Sequence, residues 1–224
     1  DSELQQRQID SLVNCGIDLL IVSPNQVDLL SSAVDRAYDK GIPVILFDRK
    51  IDSEKYTAFM GADNFQIGKM IGHFMATQLN GKGNVLEIGG LKGSSPASER
   101  HEGFIAAMED YPDINIAGFE HGDWTEESGR LAMNKILSHY DGSIDAVFGG
   151  NDRMAIGARK ALQAAGKDSG DIIYAGVDAL PEEDGGMRMV SDSLLTVSAI
   201  YPTHGDELML LALDIVNGRK YDRD

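Results

Sequence analysis

Short apolar runs alternate with amphipathic helical patterns along almost the whole chain. The run from Pro43 to Phe47 is wholly apolar, as expected of a buried strand, and the segment 64–79 carries apolar residues along one helix face. Strict alternation of strands and helices is typical of parallel sheets with helices on both faces, so the sequence predicts an α/β fold. The predicted strands are residues 18–23, 43–47, 57–60, 84–88, 114–119, 146–148, 172–175 and 194–200. The predicted helices follow an initial helical segment and are residues 26–40, 64–79, 98–110, 125–138, 152–165 and 205–216.

The number of predicted strands favours two sheets over a single open sheet. No Gly- or Ser-rich linker divides the chain, so short crossings at residues 61–63 and 201–203 are expected to join two lobes. We expect residues 1–62 plus 203–224 to form the first lobe and residues 63–202 to form the second. The first lobe has only two or three predicted strands, and the chain opens on a polar helical segment. We therefore expect the sequence to be truncated at both ends.

The charge of the chain narrows the range of ligands. Its 224 residues carry a formal net charge of −16, and a strongly acidic protein is repelled by phosphates, so no nucleic-acid contact is expected. No apolar run approaches the roughly 20 residues of a membrane span. The single cysteine, Cys15, excludes an internal disulfide and is expected to be a small buried apolar residue.

Motifs of several enzyme classes are absent from the sequence. There is no phosphate-binding G-x-x-x-x-G-K-[ST], no dinucleotide-binding G-x-G-x-x-G after a strand and no hydrolase G-x-S-x-G. The histidines are scattered, with neither H-E-x-x-H nor C-x-x-C. The sequence therefore predicts no catalytic residue, no metal site and no cofactor, and the acidic run at 182–184 is expected to be a solvated loop.

Polar side chains follow three of the apolar runs directly. In open α/β sheets, ligands bind in the crevice beyond the carboxyl ends of the strands, so these side chains predict a polar pocket. They are Asp48 and Arg49, Asn151 and Asp152, and Asp178.

The residue types at these positions suit a sugar. Arg49 and a second arginine, Arg100, each present a fork of hydrogen-bond donors. The carboxylates accept hydrogen bonds, and the amide of Asn151 both donates and accepts them. Sugar hydroxyls donate and accept in the same way, while the only tryptophan, Trp124, offers a plate for the C–H face of a sugar ring. A buried polar group without a partner costs about 1–3 kcal/mol, so a pocket matched to one set of hydroxyls rejects other sugars.

Simpler structural roles stay open for the same residues. Asp152 is more readily explained as a helix N-cap than as a ligand group, and Asn151 and Asp178 are divided between the two roles. Arg49 could form a surface ion pair with its neighbour. Trp124 could belong to the core, as could Tyr201, which is otherwise placed at the rim of the pocket.

Five motifs in order resemble the ribose-type periplasmic sugar-binding proteins. They are residues 47–49 (FDR), 61–64 (GADN), 98–104 (SERHEGF), 148–152 (FGGND) with 154–158 (MAIGA), and 176–178 (GVD). The resemblance implies a Venus-flytrap fold of two Rossmann-like lobes joined by a hinge, which closes on a monosaccharide. It assigns to the ligand the residues Asp48, Arg49, Arg100, Trp124, Asn151 and Asp178. The family's last contact is usually a glutamine, and Tyr201 is the candidate for its place here, which puts plain ribose in doubt.

A second resemblance bears on the output of binding. The segment 194–206 is similar to the periplasmic sensor domains of Bacteroides-type hybrid two-component regulators, one type of which senses fructose. The implied function is non-catalytic binding of a pentose or hexose in the periplasm. The implied partner is a membrane-anchored signalling chain or an ABC transporter permease, with the sensor favoured and a homodimer left open. The alternatives are the effector domain of a LacI-type transcription regulator, which needs a helix-turn-helix ahead of this segment, and an enzyme.

Overall fold

The computed structural model of this chain describes residues 1–223 and confirms the predicted parallel α/β fold. The helices are α1 (Ser2–Asn14), α2 (Val27–Asp39), α3 (Asn64–Gln78), α4 (Ser95–Met108), α5 (Glu126–Leu137), α6 (Asp152–Ala164), α7 (Gly186–Ser191) and α8 (Gly205–Val216). The strands are β1 (Leu20–Val22), β2 (Val44–Phe47), β3 (Ala58–Met60), β4 (Lys82–Gly89), β5 (Asp113–His121), β6 (Ala146–Gly149), β7 (Ile173–Asp178) and β8 (Val197–Ile200). Within residues 1–223, no helix is both long enough and apolar enough to cross a bilayer.

The chain forms two compact units. The first contains residues 1–62, 93–95 and 202–223, and the second contains residues 63–92 and 96–201. The short segment 93–95 lies outside the range predicted for the first lobe. It joins the first unit because the Gly93 carbonyl accepts the Val27 N–H at 2.8 Å and the Ser95 hydroxyl accepts the Lys50 N–H at 2.8 Å.

The first unit is a parallel sheet in the order β1-β2-β3, covered on both faces. Successive side chains of a strand point to opposite faces, and β2 follows this rule. Val44 and Leu46 pack among the apolar residues of α1 and α2. Ile45, between them, packs against Leu208 and Ala212 of α8.

The second unit is a five-stranded parallel sheet in the order β5-β4-β6-β7-β8. Leu86 and Ile88 of β4 are fully buried against α5 and α6 on one face. Phe104 of α4 stacks on Phe148 of β6, with ring centroids 4.8 Å apart, on the other face. The chain moves from β4 to one side of the sheet and then returns to the other, so the strand order reverses between β4 and β6. This is the switch point at which ligands of open α/β sheets bind.

Some local predictions were wrong. Helix α4 starts three residues before the predicted position, at Ser95, because a proline such as Pro96 is tolerated in the first helical turn. Helix α7 was not predicted, since six residues that start at Gly186 carry no clear periodicity. Cys15 is exposed, contrary to the expectation of a buried residue, because it follows the last turn of α1 as its C-cap.

Candidate functional site

Polar residues of the second unit gather at the carboxyl ends of its strands, next to the β4/β6 switch point. Arg100 of α4 is the central one and is only 5% exposed. Its Nε donates to Asn64 Oδ1 at 2.9 Å, and its Nη1 donates to the Gly150 carbonyl, just beyond β6, at 2.6 Å. These two bonds fix the plane of the guanidinium group at the switch point.

Two aromatic rings flank Arg100. The guanidinium carbon lies 5.5 Å from the ring centroid of Trp124 and 5.0 Å from that of Tyr201, which is within cation–π range. Trp124 is half-buried and also packs against the apolar core of the unit. Its ring occupies the space that a Cβ on Gly90 would need, so only glycine fits at the end of β4.

Asn151 holds Trp124 and the start of α6 together. Its Oδ1 accepts the Met154 N–H at 2.9 Å, and its Nδ2 donates to the Trp124 carbonyl at 3.0 Å. Asn151 is therefore the N-cap of α6, and the expectation that Asp152 caps this helix was wrong. Asp152 is the first helical residue, and its carboxylate does not cap the helix. The side-chain oxygen of Asn151, which has the extended backbone of an N-cap residue, takes that role.

Asp178 ends β7 in a strained conformation. Its φ is 118° and that of the following Ala179 is 46°, and each such value in a non-glycine residue costs on the order of 1–3 kcal/mol. The carbonyl of Asp178 accepts the Tyr201 N–H at 3.2 Å, which links the ends of β7 and β8. Asp178 also lines a cavity of about 260 Å³ next to Asp152 and Gly186.

Asp48 and Arg49 lie in the first unit, directly after β2. Asp48 has a φ of 65°, and its N–H is held by the Met60 carbonyl at 2.8 Å. Arg49 Nη1 donates to the Asn25 carbonyl at 3.2 Å, and its Nε lies 3.4 Å from Asp48 Oδ2. Because both side chains are mostly shielded, at 19% and 30% exposed, this pair is more fixed than an ordinary surface ion pair.

The structure thus brings together Arg100, Trp124, Asn151, Asp178 and Tyr201 in the second unit, and Asp48 with Arg49 in the first. Among residues 1–223, no group of three or more His, Cys, Asp or Glu side chains is arranged to hold a metal ion. These residues supply guanidinium groups as hydrogen-bond donors and carboxylates as acceptors, next to the faces of aromatic rings.

A family profile described as "Periplasmic binding protein domain" matches residues 1–219. The chain belongs to this family. The membership confirms the resemblance found in the sequence motifs.

Curated relatives of this periplasmic binding protein domain carry the names of sugar- and polyol-binding proteins. The chain is 32% identical over 190 residues to the ribose import binding protein RbsB of Escherichia coli, which covers 85% of this chain and 62% of that protein. It is 34% identical over 187 residues to the galactofuranose-binding protein YtfQ of the same organism (80% and 59% covered). It is 32% identical over 185 residues to a xylitol-binding protein of Mycolicibacterium smegmatis (83% and 52% covered). The chain therefore spans about half to three fifths of the length of these relatives.

Solved structures share the fold closely. The fructose-binding periplasmic domain of a hybrid two-component system superposes with a TM-score of 0.96 at 43% identity, over 100% of this chain and 74% of that one. A galactofuranose-binding protein superposes with a TM-score of 0.87 at 30% identity, over 100% and 77%. These likenesses confirm the predicted type of fold.

Two further residues of the periplasmic binding protein domain were missed as parts of the site. Asn64 lies in one of the recognised motifs, but its role as the acceptor for buried Arg100 was not predicted. Glu87 of β4 is 1% exposed, and both of its carboxylate oxygens face His101, the residue after Arg100 on α4. The His101 Nδ1 atom lies 3.0 Å from Glu87 Oε1 and 2.9 Å from Oε2. The available signal was a charged residue inside an otherwise apolar strand, 14 positions before a histidine.

The Glu87–His101 pair and Asp152 have shifted pKa values. Burial raises the pKa of Glu87, and the hydrogen bond that the His101 ring donates to Glu87 raises the pKa of His101. Burial raises the pKa of Asp152 to about 6, and nearby Asp178 adds to this shift. Hydrogen bonds with the Ser198 hydroxyl and the Ala179 N–H oppose the shift, as does the charge of Arg100.

Proposed function

We propose that this chain binds a monosaccharide reversibly, without catalysis, as part of a periplasmic sugar receptor. The observation that carries the proposal is the fixed guanidinium of Arg100 between the rings of Trp124 and Tyr201. A fork held in one plane can donate two parallel hydrogen bonds to neighbouring oxygens, and the rings offer apolar faces for C–H groups. This combination matches a sugar ring.

Carboxylates add acceptors to these donors. Asp178 in the second unit and Asp48 in the first are acceptors for sugar hydroxyls, while Arg49 supplies a second fork. We assign these side chains to the ligand. The net charge of −16 argues against anionic ligands such as sugar phosphates.

Fructose is the first sugar to test. The solved structure at 43% identity is named for fructose binding, and the curated relatives at 32–34% identity are named for ribose, galactofuranose and xylitol. Tyr201 stands where the sequence motifs lead us to expect a glutamine, which favours a ligand other than ribose.

We propose that the output is signalling through a hybrid two-component chain, with transport through an ABC permease as the second candidate. The same fructose-binding neighbour, which belongs to such a signalling system, supports the first choice. The full coding sequence discriminates between them, because a membrane helix and a kinase domain after this segment support signalling, whereas an export leader with no kinase supports transport.

A sugar panel followed by calorimetry tests the proposed function. A ligand that binds only the folded protein raises its melting temperature, so D-fructose, D-ribose, D-galactose and xylitol are first compared by thermal shift. The best ligand is then titrated calorimetrically, with Trp124 emission as a second signal that is expected to change on saturation. Failure of every sugar to bind, or consumption of a sugar by the protein, would refute the proposal.

The variant Arg100→Ala tests the site. It removes a charge-assisted fork and is expected to weaken binding by at least about 2 kcal/mol, or roughly 30-fold. Arg130→Ala is the matched control, because Arg130 is an exposed arginine of the same unit paired with Glu127. Equal affinity of the two variants would remove Arg100 from the site.

A further inference from the structure

The carboxylate of Asp152 is bonded to the turn that follows β7. It is 3% exposed, and its Oδ2 accepts the Ala179 N–H at 2.8 Å. The Ser198 hydroxyl of β8 accepts the same N–H at 3.0 Å. Since Asn151 already caps α6, the helix does not need this carboxylate, and its bond to Ala179 requires another explanation.

The turn at the end of β7 has a backbone that needs support. Asp178 and Ala179 are consecutive non-glycine residues with φ values of 118° and 46°. Such conformations persist only where the surroundings hold them. The Ala179 N–H is the group by which Asp152 and Ser198 hold this turn, one residue after the proposed sugar ligand Asp178.

Two glycines make room for the carboxylate. A Cβ on Gly176 of β7 would overlap Asp152 Oδ1, and a Cβ on Gly186 of α7 would overlap Oδ2. The carboxylate therefore lies flat against a strand and the start of a helix at once, and one oxygen, Oδ1, has no hydrogen-bond partner among the described residues. The packing fixes the position of Asp152 relative to Asp178.

We infer that Asp152 is a positioning residue, which does not touch the sugar but holds Asp178 in the conformation that binds it. The inference rests on the proposed function, because it takes Asp178 as a ligand group. Burial of a carboxylate is unfavourable and raises the pKa of Asp152 to about 6, so its retention here is best explained by what it holds. The charged groups around it are Asp178 and Arg100, and the exposed Arg153 and Asp184, with Glu182, line the adjoining cavity.

A double-mutant cycle tests whether Asp152 acts through Asp178. In calorimetric titration with D-fructose or the best sugar of the panel at pH 7.5, Asp152→Ala is expected to weaken binding at least tenfold. In an Asp178→Ala background, the same change is expected to cost less than twofold, because the residue it positions is already absent. Equal costs in both backgrounds would overturn the inference while the proposed function stands. Asp141→Ala is the matched control, because Asp141 is an exposed aspartate of the same unit.

The isosteric variant Asp152→Asn tests the role without removing the side chain. It keeps an oxygen for the Ala179 N–H but loses the charge, so we expect a two- to fivefold loss of affinity at pH 7.5 that does not change down to pH 5. Wild-type affinity should fall towards the variant's value as Asp152 protonates near pH 6. Wild-type and variant affinities that keep a constant ratio over this pH range would overturn the inference.

The Ala179 amide gives a readout that needs no sugar. Its proton and nitrogen shifts should titrate with a midpoint near pH 6 in the wild type and not in Asp152→Asn. A shift that does not titrate in the wild type would overturn the inference even if sugar binds. If the shift titrates but no sugar binds the wild type, the proposed function is refuted, and the positioning role for a sugar ligand is refuted with it.

Discussion

A substitution of Asn64 tests how much the support of Arg100 contributes to stability, because Asn64 is not itself assigned to the sugar. Its Oδ1 accepts from Arg100 Nε at 2.9 Å, and both residues are buried, at 1% and 5% exposed. Replacement Asn64→Ala leaves a buried N–H of a cation without this acceptor. A hydrogen bond to a charged group contributes about 1.5–3 kcal/mol, so we expect the second unit to lose about 2 kcal/mol of unfolding free energy.

Thermal and chemical unfolding provide the assay for this variant. A chain of this size loses about 2–4 °C in Tm per kcal/mol, which gives an expected decrease of about 4–8 °C. Sugar affinity should fall about tenfold, because the guanidinium of Arg100 is no longer fixed in its plane. Asn115→Ala is the matched control, since Asn115 is an exposed asparagine bonded to Asn84 on neighbouring strands.

A small decrease in the unfolding free energy of Asn64→Ala would refute this reasoning. If Asn64→Ala lowers the unfolding free energy by no more than Asn115→Ala, the bond between Asn64 and Arg100 contributes nothing to the fold. If stability falls as expected but sugar affinity is unchanged, the fixed plane of Arg100 is irrelevant to binding. Asn64→Asp, which restores an acceptor, should recover most of the lost stability.

Two further predictions concern pH and packing. Because Glu87 raises the pKa of His101 above its ordinary value of 6.5, the stabilisation from the imidazolium is complete below pH 6.5 and is lost as pH rises through the folded-state pKa. Urea unfolding should therefore show a larger loss of stability from pH 6 to pH 8 for the wild type than for His101→Asn, and equal losses would contradict the assignment. Gly90→Ala places a methyl group into the Trp124 ring and should cost about 1–3 kcal/mol of stability, whereas Gly205→Ala, which meets open space, should be neutral in the same unfolding assay. Indistinguishable melting temperatures for the two alanine variants would show that Trp124 moves aside freely.

Hydrophobic patterning and turn positions made most of the fold predictable. The run from Val44 to Phe47 is a buried strand because its side chains face apolar helices on both sides of a sheet, and such runs are visible in sequence. Helix α7 was not visible, because six residues are too few to establish a helical period. Its position depends on tertiary packing against β7, which no local pattern encodes.

The candidate site was partly predictable for a similar reason. Polar residues directly after apolar runs mark strand ends, and this signal found Asp178 and Asn151. It could not assign the hydrogen bonds around the site, because Arg100 donates to Asn64, 36 positions away, and the Ala179 N–H donates to Asp152, 27 positions away. The same limit misplaced the N-cap of α6, since Asn151 and Asp152 are both good N-cap residues and only the backbone conformation decides which one caps the helix.

The positive φ angles of Asp48, Trp124 and Asp178 limit which substitutions could change the specificity for a sugar. Aspartate, asparagine and glycine tolerate positive φ, whereas β-branched residues do not, so few replacements are open at these positions without loss of the turn. Tyr201 has no such constraint, since its φ is not positive. An effort to redirect the proposed sugar site towards another ligand should therefore start by randomising residue 201, where the widest range of side chains fits the existing backbone.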